Sequence, residues 1–298
     1  MSGMSLALRA GLVLIGAMAS ACTISVDSQG QIAREEKQFP VDGVPELHLA
    51  TFDGSIELQS WERPQVLVEI EKRGPTREAV EGLRIESTQR GNRIDLEVRE
   101  PRREGLQGLG FHVSTSAKLI VSAPRRTNVV ARTGDGSIGI ERLNGRLELR
   151  TGDGSIRASD ISGEMILDTG DGSITIDGAD GRLSLSTGDG GVSVTGGLSA
   201  VRMHTGDGSI VYRAEPGVAM SDDWEISTGD GSVSLFLPAK FGAELDAHTG
   251  DGAIRSELQL TRGGVNREDR RTIRGTLGEG GKRLRVRTGD GAITLKER

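Results

Sequence analysis

The hexapeptide T-G-D-G-S-I, or a close variant, begins at Thr133, Thr151, Thr169, Thr187, Thr205, Thr228, Thr249 and Thr288, and a diverged copy, TFDGSI, begins at Thr51. The first four intervals are eighteen residues each, and the later ones are 23, 21 and 39. Self-similarity at a fixed period marks a chain built by stacking one small unit, because such a unit cannot bury its apolar side alone. The longer intervals read as loops inserted into a regular array.

Aligned on their threonines, the regular copies show which positions are apolar. Ile138, Ile156, Ile174 and Val192 share one column, and Ile140, Ala158, Ile176 and Val194 share the column two places on. Leu147, Met165, Leu183 and Val201 form a third, and Leu149, Leu167, Leu185 and Met203 a fourth. A spacing of two means strands with one buried face. Each repeat therefore reads as two short strands and two turns, one turn at G-D-G and the other at Asn144-Gly145, Ser162-Gly163 or Asp180-Gly181, with glycine expected to supply positive φ. The chain has 44 glycines and only 3% aromatic residues, so any core is aliphatic.

This pattern predicts an all-β fold, a parallel β-solenoid or β-helix of eight to nine two-strand coils with the regular repeats at residues 133–210. At about 4.8 Å per rung the rod would be roughly 40 Å long. An antiparallel meander of hairpins is the structural alternative, since hairpins also use Asp-Gly turns. Near the N-terminal end a small insertion of strands, a short helix at "PTREAVEGLRI" and a hairpin at "RIESTQRGNRIDLEV" is expected, and residues 101–110 read as a mobile loop.

The first 21 residues read as an export signal. Arg9 is their only charged side chain, residues 10–21 are apolar or small, and Ala19-Ser20-Ala21 offers a cleavage site. Cys22, the only cysteine, follows at once and cannot form an intramolecular disulfide. The position resembles the lipobox of bacterial lipoproteins, which implies lipidation of Cys22 and a membrane anchor; an ordinary secretory signal cleaved at the same bond is the other reading. Residues 22–38 then form a polar tether, and residues 39–298 a single solenoid domain. The formal charge of −6 gives no attraction to nucleic acid.

The repeats resemble those of a bacterial putative adhesin family of exported or membrane-anchored β-solenoid domains built on T-G-D-G-S-[IV]. The resemblance includes "LIVSAPRRTNVVARTGDGSI", "SVSLFLPAKFGAELDAHTGDGAI" and "GEGGKRLRVRTGDGAITLKE". It implies a stacked all-β fold in the envelope or on the cell surface, periplasmic or outer-membrane, and no catalytic residues.

Several constellations could carry chemistry. Asp135, Asp153, Asp171, Asp189 and Asp207 stand on consecutive coils. Unit charges about 4.8 Å apart repel by roughly 0.9 kcal/mol in water. An Asp capping its own turn gains about 1 kcal/mol, so capping balances the repulsion with little surplus. Salt, the arginines preceding three of the threonines (Arg132, Arg150, Arg287) or bound calcium would ease it, although calcium needs six to eight oxygen ligands. Ser137, Ser155, Ser173, Ser209 and Ser232 recur like the threonine, which argues structure, because a nucleophile is needed once beside one base. "GDGSIG" satisfies G-x-G-x-x-G but opens a strand, so a dinucleotide site is excluded. His204 and His248 share an outward column about two rungs apart, too far to chelate one metal, and His48 and His112 stand elsewhere.

Between Arg262 and Arg287, nine Arg and Lys oppose three acids, an asymmetry on an acidic chain. Arg267, Arg270, Arg271 and Arg274 fall in the long insertion before the last repeat. They suggest a basic loop for anionic envelope polymers or surface proteins, against the plainer reading of a solvated face. The sequence thus points to a non-enzymatic exported envelope protein for adhesion or scaffolding, with no cofactor beyond the calcium reading. A polysaccharide-active β-helix enzyme and a self-assembling rod are the alternatives, and the isolated Trp61, Trp224 and Tyr212 are unlike an aromatic substrate groove.

Overall fold

The computed structural model describes residues 22–27, 30–100, 115–265 and 270–298. Residues 1–21, the 101–110 loop, His112 and Arg267 lie outside the described residues. The chain is nearly all strand, and its repeats stack in parallel register as a β-solenoid-like sheet folded into two walls.

One wall ends in the threonines. It joins Glu46–Thr51, Asn128–Thr133 and Asn144–Thr151 to the second halves of Ile156–Thr169, Ile174–Thr187 and Val192–Thr205, with threonine beside threonine. The other wall begins at the isoleucine after each T-G-D-G corner, as in Ile56–Trp61, Ile138–Glu141 and the first halves of the same long strands. The four predicted apolar columns are buried and belong to one continuous core between the walls. A column that alternation did not reveal, Leu143, Ile161 and Ala179, is buried as well. It sits where the chain bends, at the left-handed residues Arg142, Asp160 and Gly178. The second turn is therefore a bend inside a continuous strand such as Ile156–Thr169. The isolated aromatics also meet: the Trp224 ring lies 5.5 Å from Tyr212 and 5.1 Å from Phe241, all three buried in the core.

Glycine serves the T-G-D-G corner differently from expectation. Of its glycines only Gly54 has a positive φ; the others are required by close approach. A Cβ on Gly154, Gly172 or Gly208 would fall 2.0 Å from the carbonyl oxygen of the matching glycine one rung below, where no heavy atom fits. Positive φ belongs to the other bend, at Gly163 and Gly181.

The ends of the stack depart from chain order. Arg283–Thr288 pairs on one side with Trp224–Thr228 and on the other with Ala243–Thr249, so the last coil of the chain lies inside the Thr249 coil. At the opposite end Glu46–Thr51 is likewise flanked on both sides, by Arg93–Arg99 and Asn128–Thr133. Antiparallel strands then cover the threonine wall: Arg84–Arg90 on Arg93–Arg99, and Thr272–Leu277 with Leu260–Val265 on Ala243–Thr249. A further copy stacking end to end on that wall would meet these antiparallel strands and not a repeat rung. The described part of the long insertion read as a basic loop contains this covering strand pair. Residues 22–38, read as a tether, instead contain the strands Cys22–Asp27 and Gly30–Pro40, paired antiparallel with each other and with Gln65–Gly74. Their alternation was masked by charged residues, and Ala33 and Phe39 are the buried positions. The expected short helix is Arg77–Gly82, capped by Thr76, whose hydroxyl accepts the Ala79 N–H at 3.2 Å.

Deleting residues 283–298 removes the inner neighbour of the Thr249 coil. Hydrogen exchange should then show protection lost across 243–277 and retained across 128–205, because a stacked array opens by neighbouring units.

Candidate functional site

The repeated corner is the one polar feature shared by all coils. Its threonines are buried, from Thr51 to Thr288. Each hydroxyl from Thr133 onward donates across the rung interface to the second glycine of the adjacent corner. The distances are 2.7 Å for Thr151 to Gly136, 2.8 Å for Thr169 to Gly154 and 2.8 Å for Thr187 to Gly172. At the permuted end the partners follow space and not sequence: Thr288 donates to Gly231 at 2.7 Å, and Thr249 to Gly291 at 2.8 Å. The same oxygen accepts the N–H of its own corner at Gly208, Gly231, Gly252 and Gly291. The threonine thus bonds within its own turn at those four corners and clips one rung to the next.

The Asp column lies on the outside of the corner, with Asp135, Asp153, Asp171, Asp189 and Asp207 all exposed. Among the described residues none of these five carboxylates accepts a hydrogen bond from the protein, so the expected capping is not seen; at the Asp207 corner the Thr205 hydroxyl takes the Gly208 N–H instead. The arginines before the threonines do not relieve the ladder either. Arg132 and Arg150 both reach Glu148, at 3.1 and 3.3 Å, and Arg287 binds Asp246. No three His, Cys, Asp or Glu side chains among the described residues converge on a metal position.

The basic group is partly committed. Arg274 pairs with Asp246 at 3.2 Å, Arg271 donates to the Gly250 carbonyl at 3.2 Å, and Arg270 is exposed in a turn. His204 and His248 are exposed and three rungs apart, since the Thr228 and Thr288 coils lie between theirs; each meets a hydroxyl, Ser227 at 3.0 Å and Thr272 at 2.9 Å. Cys22 begins the outermost strand at the N-terminal end.

A model of the Toastrack DUF4097 family matches residues 44–296, nearly the whole stack. The chain belongs to this family. No curated protein matches it. Among solved structures, the Toastrack chain is similar to a putative cell adhesion protein from Clostridium sporogenes, 12% identical over 95% of this chain and 100% of that one, with a TM-score of 0.29. It is also similar to a putative adhesin from Bacteroides fragilis, 10% identical over 89% and 97%, with a TM-score of 0.36.

Two carboxylates that sequence reasoning missed tie the ends of the Toastrack stack together. Glu71, 8% exposed, is gripped by Arg34 at 3.0 Å and Arg73 at 2.7 Å, joining two strands of the N-terminal end. Asp246 sits between Arg287 and Arg274, joining three strands of the other end. Burial pushes both carboxyls up, but the hydrogen bonds and charges of their arginines outweigh it and hold both below their ordinary values of 4.5 and 3.8. Nothing in the local sequence distinguishes them from surface acids, because their partners are 28 to 41 residues away or on alternating positions.

Thr169→Val keeps the methyl and removes the clip, and should cost about 1–2 kcal/mol in urea denaturation. Asp171→Asn removes like-charge repulsion without losing a bond, and should raise stability by up to about 1 kcal/mol, a gain that shrinks in added salt. A carboxylate with a depressed folded pKa contributes stability above its unfolded pKa and loses it as pH falls through the folded value. The melting temperature should therefore drop below about pH 4.5, and less steeply in Glu71→Gln, as a melt series from pH 7 to pH 2 would show.

Proposed function

We propose that this Toastrack protein is a non-enzymatic, exported cell-envelope lipoprotein, anchored to the outer membrane through lipidated Cys22, that presents its rigid walls for adhesion or envelope scaffolding. The observation that carries this reading is the use made of the repeats. Their threonines and glycines are consumed in joining rung to rung, and what remains is an extended, evenly spaced outer surface. The recurring serines occupy equivalent places on successive rungs, which suits a scaffold better than a single nucleophile with its base. The aromatics that a sugar-cleaving groove would display, Tyr212 and Trp224, are buried.

Metabolic labelling with a palmitate analogue tests the anchor. Wild-type protein should take up label and sediment with membranes, and Cys22→Ser should lose both. An unlabelled wild-type protein would overturn anchoring and leave ordinary secretion. Binding of an anionic partner at Arg267, Arg270, Arg271 and Arg274 is read out separately. Replacing all four with Ser should weaken retention on lipopolysaccharide or anionic vesicles, whereas unchanged retention removes that patch from the proposal.

A further inference from the structure

Most glycines in the repeats have a backbone reason, and Gly139 has none. It lies inside the strand Ile138–Glu141, paired in continuous parallel register with Glu57 on one side and Arg157 on the other, so there is no bulge. Its φ is not positive, and a Cβ there would meet only the Glu57 Cγ at 3.9 Å, an ordinary contact. Glycine weakens a strand interior, and in that setting it marks a bulge, a tight bend, a close backbone or a ligand. The first three are absent here.

Along the rod, the outward column runs Ile120, Glu57, Gly139, Arg157, Thr175, Ser193 and Val211, and every member but Gly139 projects a side chain. The missing one leaves a dent of about 420 Å³ on the isoleucine wall, floored by Gly139 and edged by Ile120, Glu57, Gln59, Glu141, Arg157 and Ser159. That volume is in the range of small-molecule sites, about 300–1,000 Å³. The floor spans two strand spacings, about 9.6 Å.

The polar groups of the rim indicate the ligand. Glu57 is neutralised by Lys118 at 2.7 Å and Glu141 faces Arg142 at 3.5 Å, while Arg157 has no ion-pair or hydrogen-bond partner among the described residues. Gln59 and Ser159 likewise keep their side-chain hydrogen-bonding capacity unused. The strand under the dent is paired on both edges, so no peptide can add to it as a strand. Recognition therefore has to run through side chains. Amide, hydroxyl and carboxylate groups suit sugar hydroxyls, and the unpaired guanidinium suits a carboxylate, which Arg binds bidentately.

We infer that the Gly139 dent is a binding site for an acidic saccharide, a uronic-acid-type residue whose ring lies over Gly139 and whose carboxylate meets Arg157. The inference deepens the adhesion reading above and rests on it only in assuming that the wall faces envelope or surface glycans.

Calorimetric titration of the full-length protein with trigalacturonate and with neutral maltotriose tests it. Wild type should bind the acidic sugar at least tenfold more tightly. Gly139→Val fills the dent with a strand-favouring side chain and should abolish binding with the melting temperature held or raised. Arg157→Gln, at an exposed position, should reduce the acidic sugar to the level of the neutral one, and it decides the matter even where Gly139→Val folds poorly. Wild-type binding of neither sugar, or undiminished binding in Arg157→Gln or in a folded Gly139→Val, overturns the site. Neither result bears on Cys22 labelling, so loss of the site and loss of the anchoring proposal are told apart.

Discussion

Backbone meets backbone at each T-G-D-G corner more closely than any side chain would allow, and the remaining structure is arranged around that approach. With a hypothetical Cβ only 2.0 Å from a carbonyl of the next rung, the second glycine cannot vary without shifting the stack. The close approach brings that carbonyl within reach of the threonine hydroxyl, which would otherwise be a buried donor without a partner. Glycine and threonine thus form a single device, and it forces every coil into the same register. Once the corners coincide, the isoleucine and leucine columns coincide as well, and an aliphatic core with few aromatics packs because each side chain rests on its like above and below.

The same device explains why the aspartate lies outside. The inner side of the corner is filled by backbone and hydroxyl, so the carboxylate is turned to water and the ladder carries its own repulsion. Exposure and salt keep that repulsion small. The arginines that might have offset it are drawn to Glu148 and Asp246, which lie on the wall face alongside them.

A stack of identical rungs has two exposed ends, where fraying and unwanted pairing begin. Here the first and last coils of the repeat array are both drawn one place inward and held between neighbours. Antiparallel strands then close the threonine wall, and Glu71 and Asp246 fasten strands distant in sequence. Between the ends the flat walls offer surface to partners, and on one of them the side-chain column is interrupted at Gly139.

The period of eighteen, the buried columns, the all-β class and the recurrence of Asp on each corner were legible in the sequence, because strand alternation and turn residues are local properties that repetition makes easy to read. The spatial order of coils was not. Nothing in the text of the Thr249 and Thr288 repeats says which lies outermost, since both carry the same corner and would stack equally well on Thr228. Residues 22–38 looked like a polar tether because charged positions such as Arg34 and Glu35 are satisfied by a strand that follows later in the chain. Gly139 was one glycine among 44, and only the positions of its neighbours show that it lacks a backbone reason. Local chemistry determined what each coil is. Long-range pairing, which depends on which edges remain unfilled once other coils have docked, decided where each coil goes and which outer side chains came to lie together.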